Sequence, residues 1–258
     1  MTSFEVTSTA NPRIKRLIRL REDRRFRHRK GLFIIEGPRL LARAIEAGFE
    51  PEEVYWDGST PIPWNGPSIL VEPSVLDRAS YRRKSEGVIA VLPQFPTGLD
   101  SLPPSPTFLL GAENLEKPGN LGAMLRTADA VGAEGFVVVG AGVDPFNPNA
   151  IRASTGALLT VPLALCTLEE LVGWLSDRDI ELIAATPDAD KTVWEVDLTR
   201  PCLLLVGAED QGLTAAARTA ARALVSVPMA GSVDSLNASV TLAVMAYEAA
   251  RQRSLLNP

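Results

Sequence analysis

The sequence predicts an α/β protein in two parts: a small α/β layer domain, then a larger, mostly parallel sheet with helices on both faces. Three observations carry this. Short apolar runs ending in glycine or small residues alternate with helical patterns along most of the chain. The runs of the second half are apolar at successive positions rather than every other one, as strands covered on both faces require. A stretch holding Pro93, Pro96, Pro103, Pro104 and Pro106 interrupts the alternation. Prolines at that density remove backbone donors and stiffen the chain, so a linker is expected over 93–106.

Taken in order, residues 1–30 read as a helical, arginine-rich arm, standing alone or belonging to the small domain of 31–92. Leu32–Glu36 is short, apolar and β-prone. A helix from Pro38 to Ala47 follows, with proline in its first turn and Gly48 as its stop. Val54–Trp56, Ile69–Val71 and Val88–Leu92 read as strands, with Ser74–Ala79 a short helix. In the second domain, 107–258, strands are expected at Phe108–Gly111, Phe136–Gly140, Leu182–Ala185, Leu203–Val206 and Leu224–Val227. Helices are expected at Leu121–Val131, Leu168–Asp177, Thr214–Ala223 and Leu236–Arg251. The last is apolar on most sides, so it is expected to be buried on most sides, against its own sheet and against a second subunit or within the core alone.

Composition narrows the chemistry. With 258 residues, 46% hydrophobic and 22% charged, the chain has the make-up of a folded protein with a sizeable core. It lacks the run of about 18 apolar residues that a membrane-spanning helix needs. Met1–Asn11 shows no basic segment followed by an apolar one, so a cytoplasmic location is expected. Cys166 and Cys202 lie in apolar surroundings and read as small buried hydrophobes; they support neither a disulfide scaffold nor a zinc site, and no metal is expected. The single histidine, His28, sits among arginines, which excludes a Ser-His-Asp triad, a Cys-His pair and a histidine-rich metal centre. Catalysis here has to work without a histidine base.

The net charge of −5 is unevenly spread. Residues 1–30 hold ten basic side chains against three acids, a net +7, leaving −12 for the rest. Clustered arginines release counterions from phosphates, so Arg16, Arg19, Arg24, Arg25 and Arg27 are candidate contacts to a nucleic acid.

Two phosphate-binding patterns fail. Gly140 and Gly142 follow a strand, but Pro145 stands where a dinucleotide fingerprint needs its third glycine. Gly207 and Gly212 have P-loop spacing, but Leu213 and Thr214 replace the Lys-Ser/Thr pair. Three glycine-containing segments after strands remain. They are Asn-x-Gly-x-x-x-Arg-Thr-Ala (Asn120 to Ala128), Gly-x-Glu-x-x-Gly (Gly207 to Gly212) and Pro-Met-x-Gly-x-x-x-Ser-Leu-Asn (Pro228 to Asn237). Asn120 is placed to cap a helix, and Asn237 and Ser239 to cap the last one.

Together, in this order and near these spacings, the three strings resemble the signature motifs of the SpoU (TrmH-like) branch of the SPOUT-class RNA 2′-O-ribose methyltransferases, over about Phe108 to Arg253. Asn11–Leu92 resembles the small RNA-binding domain that precedes the catalytic domain in many members, although Ser85-Glu86-Gly87 stands where many carry Pro-Gln-Gly.

The resemblance implies a trefoil-knotted fold, S-adenosylmethionine as cofactor, and homodimers. The cofactor would lie against Ala185, Thr186, Gly207, Val227, Met229 and Leu236. The catalytic set would be Asn120, Arg126, Glu209, Ser235 and Asn237. Arg126 would act either as the base or as a group that orients the ribose hydroxyl and stabilises alkoxide charge. Glu209 would fix Arg126 or a loop. Arg126 and Arg152 would contact RNA phosphate. The implied substrate is ribosomal RNA, 23S above all, in a housekeeping or an antibiotic-resistance role. Transfer RNA is the runner-up, and a non-catalytic RNA-binding or ribosome-assembly protein the reading from another class.

Overall fold

The computed structural model describes residues 4–82 and 84–254. The first three residues of the expected arm and the last four of the chain lie outside them. Two compact units emerge, one built from the chain up to Phe95 together with Asp144–Leu159, the other from Pro96–Val143 and the chain from Thr160 on.

In the first unit, α1 (Pro12–Glu22) and α2 (Arg24–Lys30) are separated by Asp23, whose carboxylate caps α2 by accepting the Phe26 N–H. Then come β1 (Leu32–Glu36), α3 (Pro38–Glu46), β2 (Glu53–Trp56), β3 (Ile69–Leu70), α4 (Pro73–Ala79) and β4 (Val88–Pro93). They form a four-stranded sheet of order β1-β4-β2-β3, with β2 and β3 parallel and the other pairs antiparallel. The two-residue period of β1 sorts its side chains. Leu32 and Ile34 join Ile14, Leu17, Leu20, Val75 and Leu76 in one cluster, while Phe33 meets Phe95 and Phe146.

The arm is therefore not a free basic tail. Ile14, Leu17 and Leu20 recur at helical spacing and are fully buried, so α1 is a core helix of this unit.

The second unit begins with β5 (Phe108–Glu113), α5 (Pro118–Val131) and β6 (Phe136–Val139). The chain then supplies α6 (Pro148–Ser154) to the first unit before returning with β7 (Leu163–Cys166), α7 (Leu168–Ser176) and β8 (Glu181–Ala185). It ends with β9 (Cys202–Val206), α8 (Ala215–Ala220), β10 (Ala223–Val225) and α9 (Ala238–Ser254). The six strands form a wholly parallel sheet of order β10-β8-β9-β5-β6-β7. α7 and α8 pack on β8, while α9 packs on β9 and along α5.

Two expected boundaries are corrected. Residues 144–159, Arg152 among them, belong to the first unit, because Phe146 packs on Phe33 and Phe95 at 5.2 and 5.0 Å and the Asp144 carboxylate receives Arg27. Most of the proline-rich stretch belongs to the second. The Leu165 N–H donates to the Thr97 carbonyl at 2.7 Å, and Leu102 is buried in the core.

Candidate active site

Sheet order gathers the motif segments. β10, β8, β9 and β5 are neighbours, so the loops after their carboxyl ends emerge side by side, where parallel sheets bind ligands. A cavity of about 700 Å³ opens there. All six residues expected to hold a cofactor line it: Ala185 and Thr186 after β8, Gly207 after β9, and Val227, Met229 and Leu236 after β10. Glu209 and Ser235 also line it. Val206 and Val225 complete an apolar wall against a rim of backbone and polar groups, and the volume suits a nucleoside-sized ligand.

Gly207 has a reason other than ligand approach. A Cβ there would collide with the backbone of Gly212 and Leu213, so the glycine lets the 207–212 turn fold back on itself.

Glu209 ties three motifs together. Its carboxylate accepts from the Asn120 amide at 2.6 Å, from the Asn237 amide, and from the Lys117 ammonium. Lys117 first, then Asn120, hold its carboxyl below the usual carboxylate range. The start of α5, the turn after β9 and the start of α9 thus meet at one group. Asn120 does not cap α5, which begins at Pro118 after Lys117. Asn237 both caps and clamps: its carbonyl oxygen accepts the Ser239 N–H at 2.9 Å while its amide donates to Glu209.

Arg126 stands apart. It is exposed on α5, with no hydrogen bond or ion pair among the described residues, to Glu209 or to Asp129. Six residues on from Asn120, it projects about 120° round the helix and about 9 Å along it. Ser235 is exposed at the cavity.

The structure adds residues that the motifs did not mark. Thr186 donates its hydroxyl to Asp188 and accepts from Arg218 at 2.8 Å, and Arg218 grips both Asp188 oxygens at 3.0 and 2.8 Å. Arg218, then Thr186, drive the Asp188 carboxyl far below the ordinary range. At the end of β5 the buried Glu113 accepts both the N–H and the hydroxyl of Thr214, pinning the far end of the turn after β9. Lys117 lies three residues before the first motif, so the string itself did not mark it; its closeness to Asn120 was the signal that could have found it. The Asp188–Arg218 pair carried no local signal. Burial pushes the Cys166 thiol up to about 12 and raises that of Cys202, as inert packing residues require.

The expected RNA contacts in the first unit are corrected at Arg27. It is 2% exposed, its guanidinium spent on Asp144 at 2.6 Å and on the carbonyls of Leu20 and Arg21. Arg16 pairs with Glu53 at 2.8 Å, and Arg19 lies over the Phe26 ring and beside Asp23. Arg24 and Arg25 are exposed. His28 lies beside Asp144 and against Phe146 rather than among solvated arginines alone.

Residues 107–247 match the SpoU rRNA Methylase family, and residues 11–90 match the MRM3-like substrate binding domain. The chain belongs to the SpoU rRNA methylase family. It is similar to the 23S rRNA (uridine(2479)-2′-O)-methyltransferase of Streptomyces viridochromogenes, 32% identical over 95% of this chain and 92% of that one. It also resembles the crystal structure of the SpoU methyltransferase AviRb of the same organism in complex with AdoMet, with a TM-score of 0.88 and 32% identity over 95% and 98% of the two chains. A solved RNA 2′-O ribose methyltransferase matches with 42% identity and a TM-score of 0.85, over 96% of this chain and 99% of that one. The family carries with it the expected fold class, a parallel-sheet methyltransferase domain preceded by a substrate-binding domain.

Proposed function

We propose that this protein methylates the 2′-hydroxyl of a ribose in ribosomal RNA, most specifically 23S, using S-adenosylmethionine. The observation that carries the reading is the Glu209 clamp, which draws all three motif segments to the mouth of one cavity of about 700 Å³. The names of the similar proteins point the same way.

The cavity suits the cofactor in its chemistry. Val206, Val225, Val227 and Leu236 offer an apolar slot for a purine, and Thr186, Asp188 and the loop backbones offer polar partners for the ribose and the amino-acid end. S-adenosylmethionine, when bound, supplies a methyl group on a sulfonium. This chain's residues must then hold a ribose hydroxyl in line with it and ease the loss of its proton. Glu209 is a positioning residue in this account. Its lowered carboxyl stays ionised and keeps Asn120 and Asn237 oriented.

Arg126 is the group for the reacting oxygen. A guanidinium stays protonated near neutrality, so it orients the hydroxyl and stabilises alkoxide charge rather than removing the proton itself. Its exposed position on α5, beside α9 with its exposed Val240 and Tyr247, fits a homodimer in which this surface meets a second copy and brings Arg126 to that copy's cavity. Such an enzyme works in the cytoplasm, where ribosomal RNA is found. Among the described residues no helix is long and apolar enough to cross a membrane.

Mapping ribose methylation in ribosomal RNA from cells with and without the protein tests the reading. One 2′-O-methyl mark that disappears with the protein supports it; an unchanged set of marks refutes it.

A further inference from the structure

The first unit holds a cleft of about 480 Å³ to which the methyl-transfer reading gives no role beyond the expected phosphate contact at Arg152. Ile34, Leu40 and Ile151 floor it, and Arg39, Arg43, Arg82 and Arg152 ring it. Its two carboxylates are already committed. Glu36 accepts the Ser80 hydroxyl at 2.7 Å and the Tyr81 N–H at 2.6 Å, and Glu86 pairs with Arg82 at 2.7 Å. Arg39 and Arg152 form no ion pair among the described residues, although Glu36 and Glu86 line the same cleft. A positive cleft in a chain of net charge −5 calls for an anion.

Tyr81 gives the cleft a second chemistry. The residue is 43% exposed, and the Arg152 guanidinium lies over its ring at 5.1 Å. An aromatic face next to a planar cation forms a stacking platform for a base, and guanidiniums match phosphate oxygens in pairs. The end of α6, the helix that carries Arg152, is tied to α3. Arg43 donates to the Thr155 carbonyl across Gly156, where a Cβ would lie 2.6 Å from the Arg43 Cδ and φ is +102°. Any other residue at 156 would be strained and would dislodge Arg43. A narrow cleft with one stacking face suits a splayed-out nucleotide, whereas duplex RNA offers its grooves and backbone to broad surfaces.

We propose that this cleft captures one unstacked nucleotide of single-stranded substrate RNA, its base on Tyr81 beside Arg152 and its phosphates at Arg39 and Arg43. The inference takes its ligand, and the expected RNA contact at Arg152, from the RNA-methyltransferase reading, and the rest of its site from the geometry.

The test uses the full chain with a 23S rRNA transcript carrying 5-iodouridine, together with the Tyr81→Ala, Tyr81→Phe and Arg39→Ala/Arg43→Ala variants. RNA affinity, cofactor affinity and methyl transfer are measured on each. Tyr81→Ala is expected to weaken RNA binding about tenfold and to raise the KM for RNA by the same factor, with kcat and cofactor affinity within twofold of wild type. Tyr81→Phe keeps wild-type affinity because the ring remains, the arginine pair variant loses affinity and flattens its salt dependence, and irradiation links the RNA to the peptide containing Tyr81. RNA affinity within twofold of wild type in Tyr81→Ala overturns the proposal, as does a cross-link confined to other peptides. A wild-type chain that transfers no methyl group but still loses RNA on Tyr81→Ala upholds the cleft and removes the activity reading. Normal methyl transfer with an unchanged KM in Tyr81→Ala does the reverse.

Discussion

Replacing Glu209 by glutamine tests the clamp that organises the candidate active site. In the wild type one carboxylate serves three donors from three chain segments, with the Asn120 amide at 2.6 Å. The Lys117 side chain is 64% exposed, so its ion pair is screened and adds little. The two asparagine bonds carry the effect, and in this partly exposed setting each contributes about 1 kcal/mol. Glutamine has one acceptor oxygen and turns an N–H toward groups that are themselves donors, so at least one bond is lost and the other weakens. A loss of about 2 kcal/mol corresponds to roughly thirtyfold in the population of the gathered loops. Cofactor affinity by calorimetry is therefore expected to fall about ten- to thirtyfold, with little change in the melting temperature, because the core of the second unit is untouched.

The pH dependence has a definite sign. A carboxyl whose folded pKa is lowered stabilises the clamp above its unfolded value, near ~4.3, and loses that contribution as pH falls through the lowered one. Wild-type affinity is thus expected to hold from pH 8 to pH 5. A Glu209→Gln protein that binds S-adenosylmethionine within twofold of wild type would refute the reasoning.

Arg27→Met leaves the buried Asp144 carboxylate without its partner and is expected to destabilise the first unit by about 3–5 kcal/mol in a denaturant titration. A loss below 1 kcal/mol would return Arg27 to the surface. Leu17→Ala removes a fully buried side chain of α1 and is expected to cost about 2–5 kcal/mol in the same titration, where a detachable arm would show no loss. Arg218→Met takes away the main cause of the lowered Asp188 carboxyl, whose NMR titration is expected to move up toward the ordinary range. Arg126→Ala is expected to fold and bind cofactor normally while transferring methyl groups at least a hundredfold more slowly, and near-normal transfer would remove Arg126 from the chemistry.

The strands of the parallel sheet were legible because burial on both faces leaves continuous apolar runs, as at Leu203–Val206, which nothing else in a short segment explains. The cavity residues were legible through the family resemblance that the three motifs carry; Ala185 and Thr186 lie in no motif and came from that resemblance alone. What stayed hidden depended on partners distant in the chain. Arg27 reads as one more arginine of a basic run, and only Asp144, 117 residues away, makes it a core residue. The same pair helps draw Asp144–Leu159 into the first unit, which no composition shift announces. β7 escaped because Leu163–Cys166 is four residues long and lacks β-branched side chains. The clamp itself joins Asn120 to Glu209 across 89 residues, so the sequence shows its members but not their meeting.

The most direct test of the central claim follows a labelled methyl group from S-adenosylmethionine into a 23S rRNA transcript and then hydrolyses the RNA with alkali. A methylated 2′-oxygen cannot attack the neighbouring phosphodiester, so the account predicts that the label is recovered in an alkali-stable dinucleotide. Label recovered in mononucleotides would mean that a base was methylated, and no incorporation would mean that no transfer occurred; either result contradicts the account.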